Sequence, residues 1–289
     1  MRNERRIGSR LFMVLVFLFL YAPIFVLIVF SFNSSKSRAV WTGFSLDWYR
    51  ELFQDSEILS ALSTTLSVSV LAALIATVAG TFAAIGFYNM RKRWSRPLLT
   101  INNIPVINAD IATGVSLCLL FVAAGGILHF DLGYVTLLIA HITFNIPYMI
   151  LSVLPKLRQT SNALYEAALD LGASPTYALR KVILPQIMPG IVSGAILAFT
   201  LSLDDFVISF FTRQGVQNLS IYIYSLARKG INPKINALSA IMFVVVLTLL
   251  LVVNLTGNRD DEEYIRAKKR KTARKAAKKA ARLEGRDAA

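Results

Sequence analysis

The sequence predicts an all-α polytopic membrane protein with six membrane-spanning helices. Three observations carry that reading. The 289-residue chain is 55% hydrophobic, with a mean hydropathy of +0.56. Its apolar residues collect into six runs, at 11–32, 59–88, 99–124, 132–154, 187–211 and 237–256. Each is roughly 18 residues or longer, enough to cross a hydrocarbon core about 30 Å thick. Finally, Lys and Arg outnumber Asp and Glu 31 to 17, and they lie between the runs rather than within them.

With the N-terminus inside, the segments between runs place 24 Lys and Arg on the cytoplasmic side and 7 on the other. Excess positive charge marks the inner face, so both termini are expected in the cytoplasm. Residues 1–10 form the N-terminal cytoplasmic segment, 11–256 the membrane domain and 257–289 a basic tail.

The first run follows MRNERRIGSR. It is too long for a signal-peptide core and no small-x-small site follows it, so it is read as an uncleaved span. The outer segment 33–58 contains WTGFSLDWYRELF, whose Trp41, Trp48 and Tyr49 suit a helix lying in the membrane interface. The third run carries Asn102, Asn103, Pro105, Asn108 and Asp110 in its cytoplasmic half. Such an interrupted helix survives only where protein or a wet cavity satisfies the released backbone groups. Cys118 is the only cysteine, which excludes an internal disulfide, and it reads as a small packed hydrophobe. His141, within the fourth run, reads as a packed histidine bonded to neighbouring backbone.

Between the fourth and fifth runs, residues 161–186 predict two short helices facing the cytosol. Ser161 caps the first, whose Leu164, Ala167, Ala168 and Leu171 recur at helical spacing. Gly172 stops it in left-handed backbone. Ser174 caps the second, Pro175 takes its first position, and Pro185 breaks the chain before the membrane. On residues alone this is either a packed loop or a knob that receives a partner. In the fifth run Pro189 precedes Gly190 and Gly194, whose spacing permits close helix contact. The outer segment 212–236 reads as an ordered loop. The tail holds ten basic residues and no acid between Arg266 and Arg282, which suits anionic lipid. It has no interleaved aromatics, so no nucleic-acid partner is expected.

The fifth run also contains FTLSLDDFVISFF. An ionised Asp204 or Asp205 in lipid would cost about 2.5–3.5 kcal/mol each. The pair can flank one cavity with Ser202, filled by a multivalent organic cation whose methylenes lie on Phe199 or Phe206. Asp110 is the best second anchor. Alternatively, Asp204 caps an internal helix break or pairs with an arginine of another subunit.

Glu166, Ala167, Ala168, Gly172, Val182, Leu184 and Pro185 together resemble the EAA signature of permeases in binding-protein-dependent ABC importers; Val182 stands where isoleucine is usual. FSFNSSKSR, WTGFSLDWY, HITFNIP, FTLSLDDFVIS and IYIYSLARKGINPKINAL extend the likeness to the spermidine/putrescine branch of that family, up to residue 256. The resemblance implies the type I ABC importer permease fold and a place in the cell inner membrane. It implies that Glu166, Ala167, Ala168, Gly172, Leu184 and Pro185 couple to an ATPase. It also implies that Trp41, Asp110, Ser202, Asp204 and Asp205 lie on the substrate path. The expected partners are a second permease subunit, two copies of an ATPase subunit, an extracytoplasmic polyamine-binding protein and membrane lipids.

The chain has no G-x-x-x-x-G-K-[ST] loop, so ATP is expected on a partner, with no cofactor or metal bound here. With two histidines and one cysteine, no nucleophile–base set is apparent, and an enzyme is not expected. The competing readings are a permease for another amine-bearing solute, an ion-coupled carrier using the acid pair as a proton relay, and a scaffold acting through its tail.

Overall fold

The structure, a computed structural model, describes residues 2–35, 40–108, 110–229, 233–248 and 251. The basic tail lies outside the described residues. The helices are α1 (Arg2–Ser31), α2 (Asp47–Gln54), α3 (Ser56–Asn89), α4 (Lys92–Ile107), α5 (Asp110–Leu128) and α6 (Tyr134–Gln159). They continue with α7 (Asn162–Asp170), α8 (Pro175–Ala178), α9 (Leu184–Asp204), α10 (Val207–Thr212), α11 (Leu219–Lys229) and α12 (Lys234–Thr248). No strand forms among the described residues; Asn33 and Phe44 make an isolated bridge.

Five helical stretches are long and apolar enough to span a membrane: Phe12–Ser31, Ser56–Asn89, Asp110–Leu128, Tyr134–Gln159 and Pro175–Asp204. The described part of the sixth run is the shorter apolar α12. The third span differs from the expected 99–124. α4 carries Pro97 and Pro105 without breaking, because the chain opens instead at Asn108, which is extended. The span is therefore α5, with Asp110 in its first turn.

The core is α3, α6 and α9, packed through small residues. Between lipid and helix there is no hydrophobic gain on association, so close packing must supply it. On α3, Ala73, Ala76, Gly80 and Ala84 recur along the α6 contact. A Cβ at Gly80 would lie 2.4 Å from Met149 Cβ, so only glycine fits. On α9, Gly190 and Gly194 meet Ser152, Lys156 and Met149 in the same way, as the glycine spacing predicts. α1 stands apart, with apolar side chains exposed from Phe12 to Val29.

Pro185 does not break the chain. Leu179–Ile183 forms a π-helical turn, in which the Leu184 N–H reaches the Leu179 carbonyl. That shift in bonding just ahead of the proline lets one helical run continue from Pro175 to Asp204. Trp48, expected on a helix lying in the membrane interface, is packed inside the protein. It is buried, and its indole N–H donates to the Asn33 carbonyl at 2.7 Å. The helix of this segment is α2 alone; ahead of it, Asn33 Oδ1 accepts from the Thr42 N–H at 3.0 Å.

Candidate functional site

The fifth run stops being helical at the acid pair. Asp204 ends α9, Asp205 is extended (φ −60°, ψ 122°), and α10 restarts two residues later. A helix break inside a membrane must satisfy its exposed backbone groups. Asp205 does so with its side chain: Oδ1 accepts from the Ile208 N–H at 3.2 Å, and Oδ2 from the Ser209 N–H and hydroxyl, both at 2.8 Å. The carbonyls on the other side are met from α11, where Ser220 Oγ donates to Asp204 and Asn218 Nδ2 to Asp205, each at 3.3 Å. Asn218 Oδ1 in turn accepts from the Ile221 N–H.

Behind the break, α6 contributes two buried polar side chains one helical turn apart. His141 Nε2 lies 3.0 Å from Ser209 Oγ and 3.5 Å from Asp205 Oδ2. Asn145 Nδ2 donates to Ser202 Oγ at 2.7 Å. His141, Asn145, Ser202 and Ser209 are all at most 2% exposed. His141 thus bonds to side chains of α10 and its cap, not to neighbouring backbone as expected. Asp205 turns inward to this cluster, its side chain 9% exposed.

Asp204 turns the other way. It is exposed and pairs with no cation among the described residues. Around the same turn lie aromatic rings: Phe206 is 4.8 Å from Tyr224 and 5.6 Å from Phe210, centroid to centroid. Tyr224 and Ser220 are four residues apart on α11 and so share a face. The product is a carboxylate beside a partly exposed aromatic corner, chemistry that suits an ammonium group.

Asp110 is exposed at the start of α5. One turn on, Gly114 lets α5 close on α10: a Cβ there would sit 3.0 Å from Phe211 and 3.4 Å from Ile208 Cα. α5, which begins at Asp110, thus packs on α10, the helix that follows the acid pair. Trp41 is half-exposed, edge-on to Phe30 at 6.3 Å, and makes no ring contact with the corner at Phe206. Sequence reasoning missed Asn145, Ser209, Asn218, Ser220 and Tyr224. Asn218 carried a signal, a capping residue three before Ile221. Tyr222 and Tyr224, about 200° apart on a helix, part company: Tyr222 is buried and Tyr224 exposed. Burial, with Asp55 and Glu57 adding to it, pushes the Tyr222 phenol up from the ordinary tyrosine range.

Between α6 and α9, α7 and α8 form the expected helical knob. Gly172 ends α7 at φ +85°, and Ser174 Oγ accepts from the Tyr177 N–H at 3.3 Å. Ser161 occupies the N-cap of α7, but its hydroxyl makes no capping bond. Glu166, Ala167, Gly172 and Pro185 are exposed, Ala168 and Leu184 half-buried. Leu164 and Leu171, the latter 89% exposed, leave the apolar stripe of α7 uncovered.

A bundle of helices long and apolar enough to cross a membrane, a polar break at the end of one of them and an exposed helical knob are the features of a membrane permease. The chain belongs to the family described as the binding-protein-dependent transport system inner membrane component, matched over residues 2–258. It is a membrane subunit of a transporter and not an enzyme. It is similar to the putrescine transport system permease protein PotI of Escherichia coli K12, 42% identical over 234 residues, covering 80% of this chain and 83% of that one. The spermidine/putrescine transport system permease protein PotC of Haemophilus influenzae is 38% identical over 252 residues, covering 86% and 96%. Among solved structures, a bacterial ABC transporter that imports the acidic polysaccharide alginate superposes with a TM-score of 0.69, at 22% identity, covering 89% and 96%. The MetNI methionine ABC transporter gives 0.56, at 19% identity, covering 71% and 96%. These structures share the permease fold.

Proposed function

We propose that this chain is one membrane subunit of an ATP-driven polyamine importer, and that Asp204 is a contact for a substrate ammonium. The observation that carries the reading is the exposed Asp204 carboxylate, without a cationic partner among the described residues, beside Phe206, Phe210 and Tyr224. A polyamine supplies the missing charge and lays its methylenes on the rings. Asp110 is the second anchor. Trp41 belongs to the outer approach. Asp205 and Ser202 serve the passage from behind, by holding the break through Ser209 and Asn145. Names of relatives at 37–42% identity, which specify putrescine or spermidine, support the substrate class.

The partners are a second permease subunit, two copies of an ATPase and an extracytoplasmic polyamine-binding protein, with both termini in the cytoplasm. ATP binds to the ATPase. Its closure is received by Glu166, Ala167, Ala168, Gly172, Leu184 and Pro185, and the run from Pro175 to Asp204 carries that movement to the break as one helical lever. Uptake of labelled putrescine and spermidine into vesicles holding the full complex tests this. ATP-dependent uptake that is lost in Asp204→Asn, with assembly unchanged, is the expected result; full uptake in that variant overturns the role of Asp204. The buried His141–Ser209–Asp205 chain is the one feature favouring an ion-coupled carrier. That reading requires uptake driven by a proton gradient without the ATPase.

A further inference from the structure

The first turns of α4, on the side proposed above to be cytoplasmic, border a basic cavity lined by none of the residues assigned to the substrate path or the ATPase. It measures about 410 Å³ and lies between α4 and the ends of α3 and α6. Lys92, Arg96 and Arg158 line it, together with Ser95 and Tyr88, and no acidic side chain does. None of the three cations makes a side-chain hydrogen bond or ion pair with a described residue, so their mutual repulsion is left for an anion to relieve. Helical spacing explains the convergence, since 92, 95, 96 and 99 share one face of α4.

A neighbouring face of α4 is apolar and exposed: Trp94 at 57%, Leu98 at 40%, Ile101 at 60% and Ile104 at 51%. Arg93 stacks over Trp94 at 5.4 Å. Tryptophan with basic residues is the composition of the membrane–water boundary. Cationic pockets between helices on the cytoplasmic side suit lipid head groups. We infer that this cavity binds the head-group phosphate of an anionic phospholipid, with the acyl chains lying along Trp94, Leu98 and Ile101. A free phosphate ion would satisfy the three cations but leave the apolar stripe uncovered, which favours the lipid.

The test is native mass spectrometry of the complete transporter in neutral detergent, titrated with phosphatidylglycerol, phosphatidylcholine or inorganic phosphate. The variants compared are Lys92→Gln/Arg96→Gln/Arg158→Gln and, as a charge-matched control outside the cavity, Arg50→Gln/Arg180→Gln/Lys181→Gln. The expected result is a phosphatidylglycerol adduct that weakens about fivefold per charge removed from the cavity, on the order of a hundredfold for all three. The control variant and the single variant Trp94→Ala separate charge from position: the first keeps the adduct, and the second weakens it without altering net charge. Equal loss in the control variant, equal retention of phosphatidylcholine, or full displacement by millimolar phosphate each overturns the inference.

Discussion

Ser209 donates twice to Asp205, from its N–H and from its hydroxyl, both at 2.8 Å to the same carboxylate oxygen. The two adjacent acids are thereby divided: one is occupied within the protein, while its neighbour Asp204 remains exposed. Removing each should produce a different failure. Asp205→Ala deletes a helix cap, at a cost of about 1–2 kcal/mol, and should lower the thermal midpoint together with uptake. Asp205→Asn, which keeps a capping oxygen, should restore much of that stability. Asp204→Asn should leave the midpoint alone and weaken polyamine uptake roughly 10- to 100-fold, the range expected on losing a charged hydrogen-bond partner of 1.5–3 kcal/mol. Thermal scanning and uptake on the same preparations separate the two.

Ser209 also holds His141, whose Nε2 has this hydroxyl as its nearest partner. Ser209→Ala leaves a fully buried ring nitrogen short of a neighbour, costing about 1–3 kcal/mol. The expected phenotype is that of Asp205→Ala, and the double variant Ser209→Ala/Asp205→Ala should lose less than the sum of the two. Additive losses would show that the residues do not act as one unit.

The core makes a graded prediction. At Gly80 an added Cβ meets the rigid Met149 Cβ at 2.4 Å, so Gly80→Ala must push α3 and α6 apart, at about 1–3 kcal/mol. At Gly194 the nearest atom is the mobile Met149 Sδ at 2.8 Å, and Gly194→Ala should cost less. At Gly86 nothing lies within 4 Å, and Gly86→Ala should be neutral or slightly stabilising. Thermal midpoints in detergent should rank these three variants in that order.

The apolar runs, the knob and the polar interruption at Asp204 and Asp205 were legible because each depends on local composition. Apolar runs report their own length, and Ser174, Pro175 and Gly172 write their turn directly into the chain. Roles set by contacts across the fold were not legible. Nothing near Asp205 in sequence signals that its carboxylate reaches a histidine 64 positions earlier. Pro185 suggested a break because its missing donor is a local property, whereas the π-helical turn that accommodates it is a property of the whole run. Trp48 suggested a helix lying in the membrane interface, because its bond to the Asn33 carbonyl joins residues 15 apart and leaves no local mark.

The knob supplies the last prediction. Gly172 sits at φ +85° with nothing within 4 Å of where a Cβ would be, so backbone strain alone decides which residues it accepts. Asparagine tolerates left-handed backbone far better than alanine, and alanine better than a β-branched residue. Gly172→Asn should therefore keep coupling, Gly172→Ala should weaken it, and Gly172→Val should abolish it, because α8 would be re-aimed relative to α7. The exposed stripe of Leu164 and Leu171 is unchanged by all three substitutions, so a partner bound through hydrophobic contact alone would respond to none of them. Substrate-stimulated ATP hydrolysis by the assembled complex distinguishes these cases. Stimulation that falls from asparagine through alanine to valine, with subunits still co-purifying, would show that the angle between the two short helices transmits the signal.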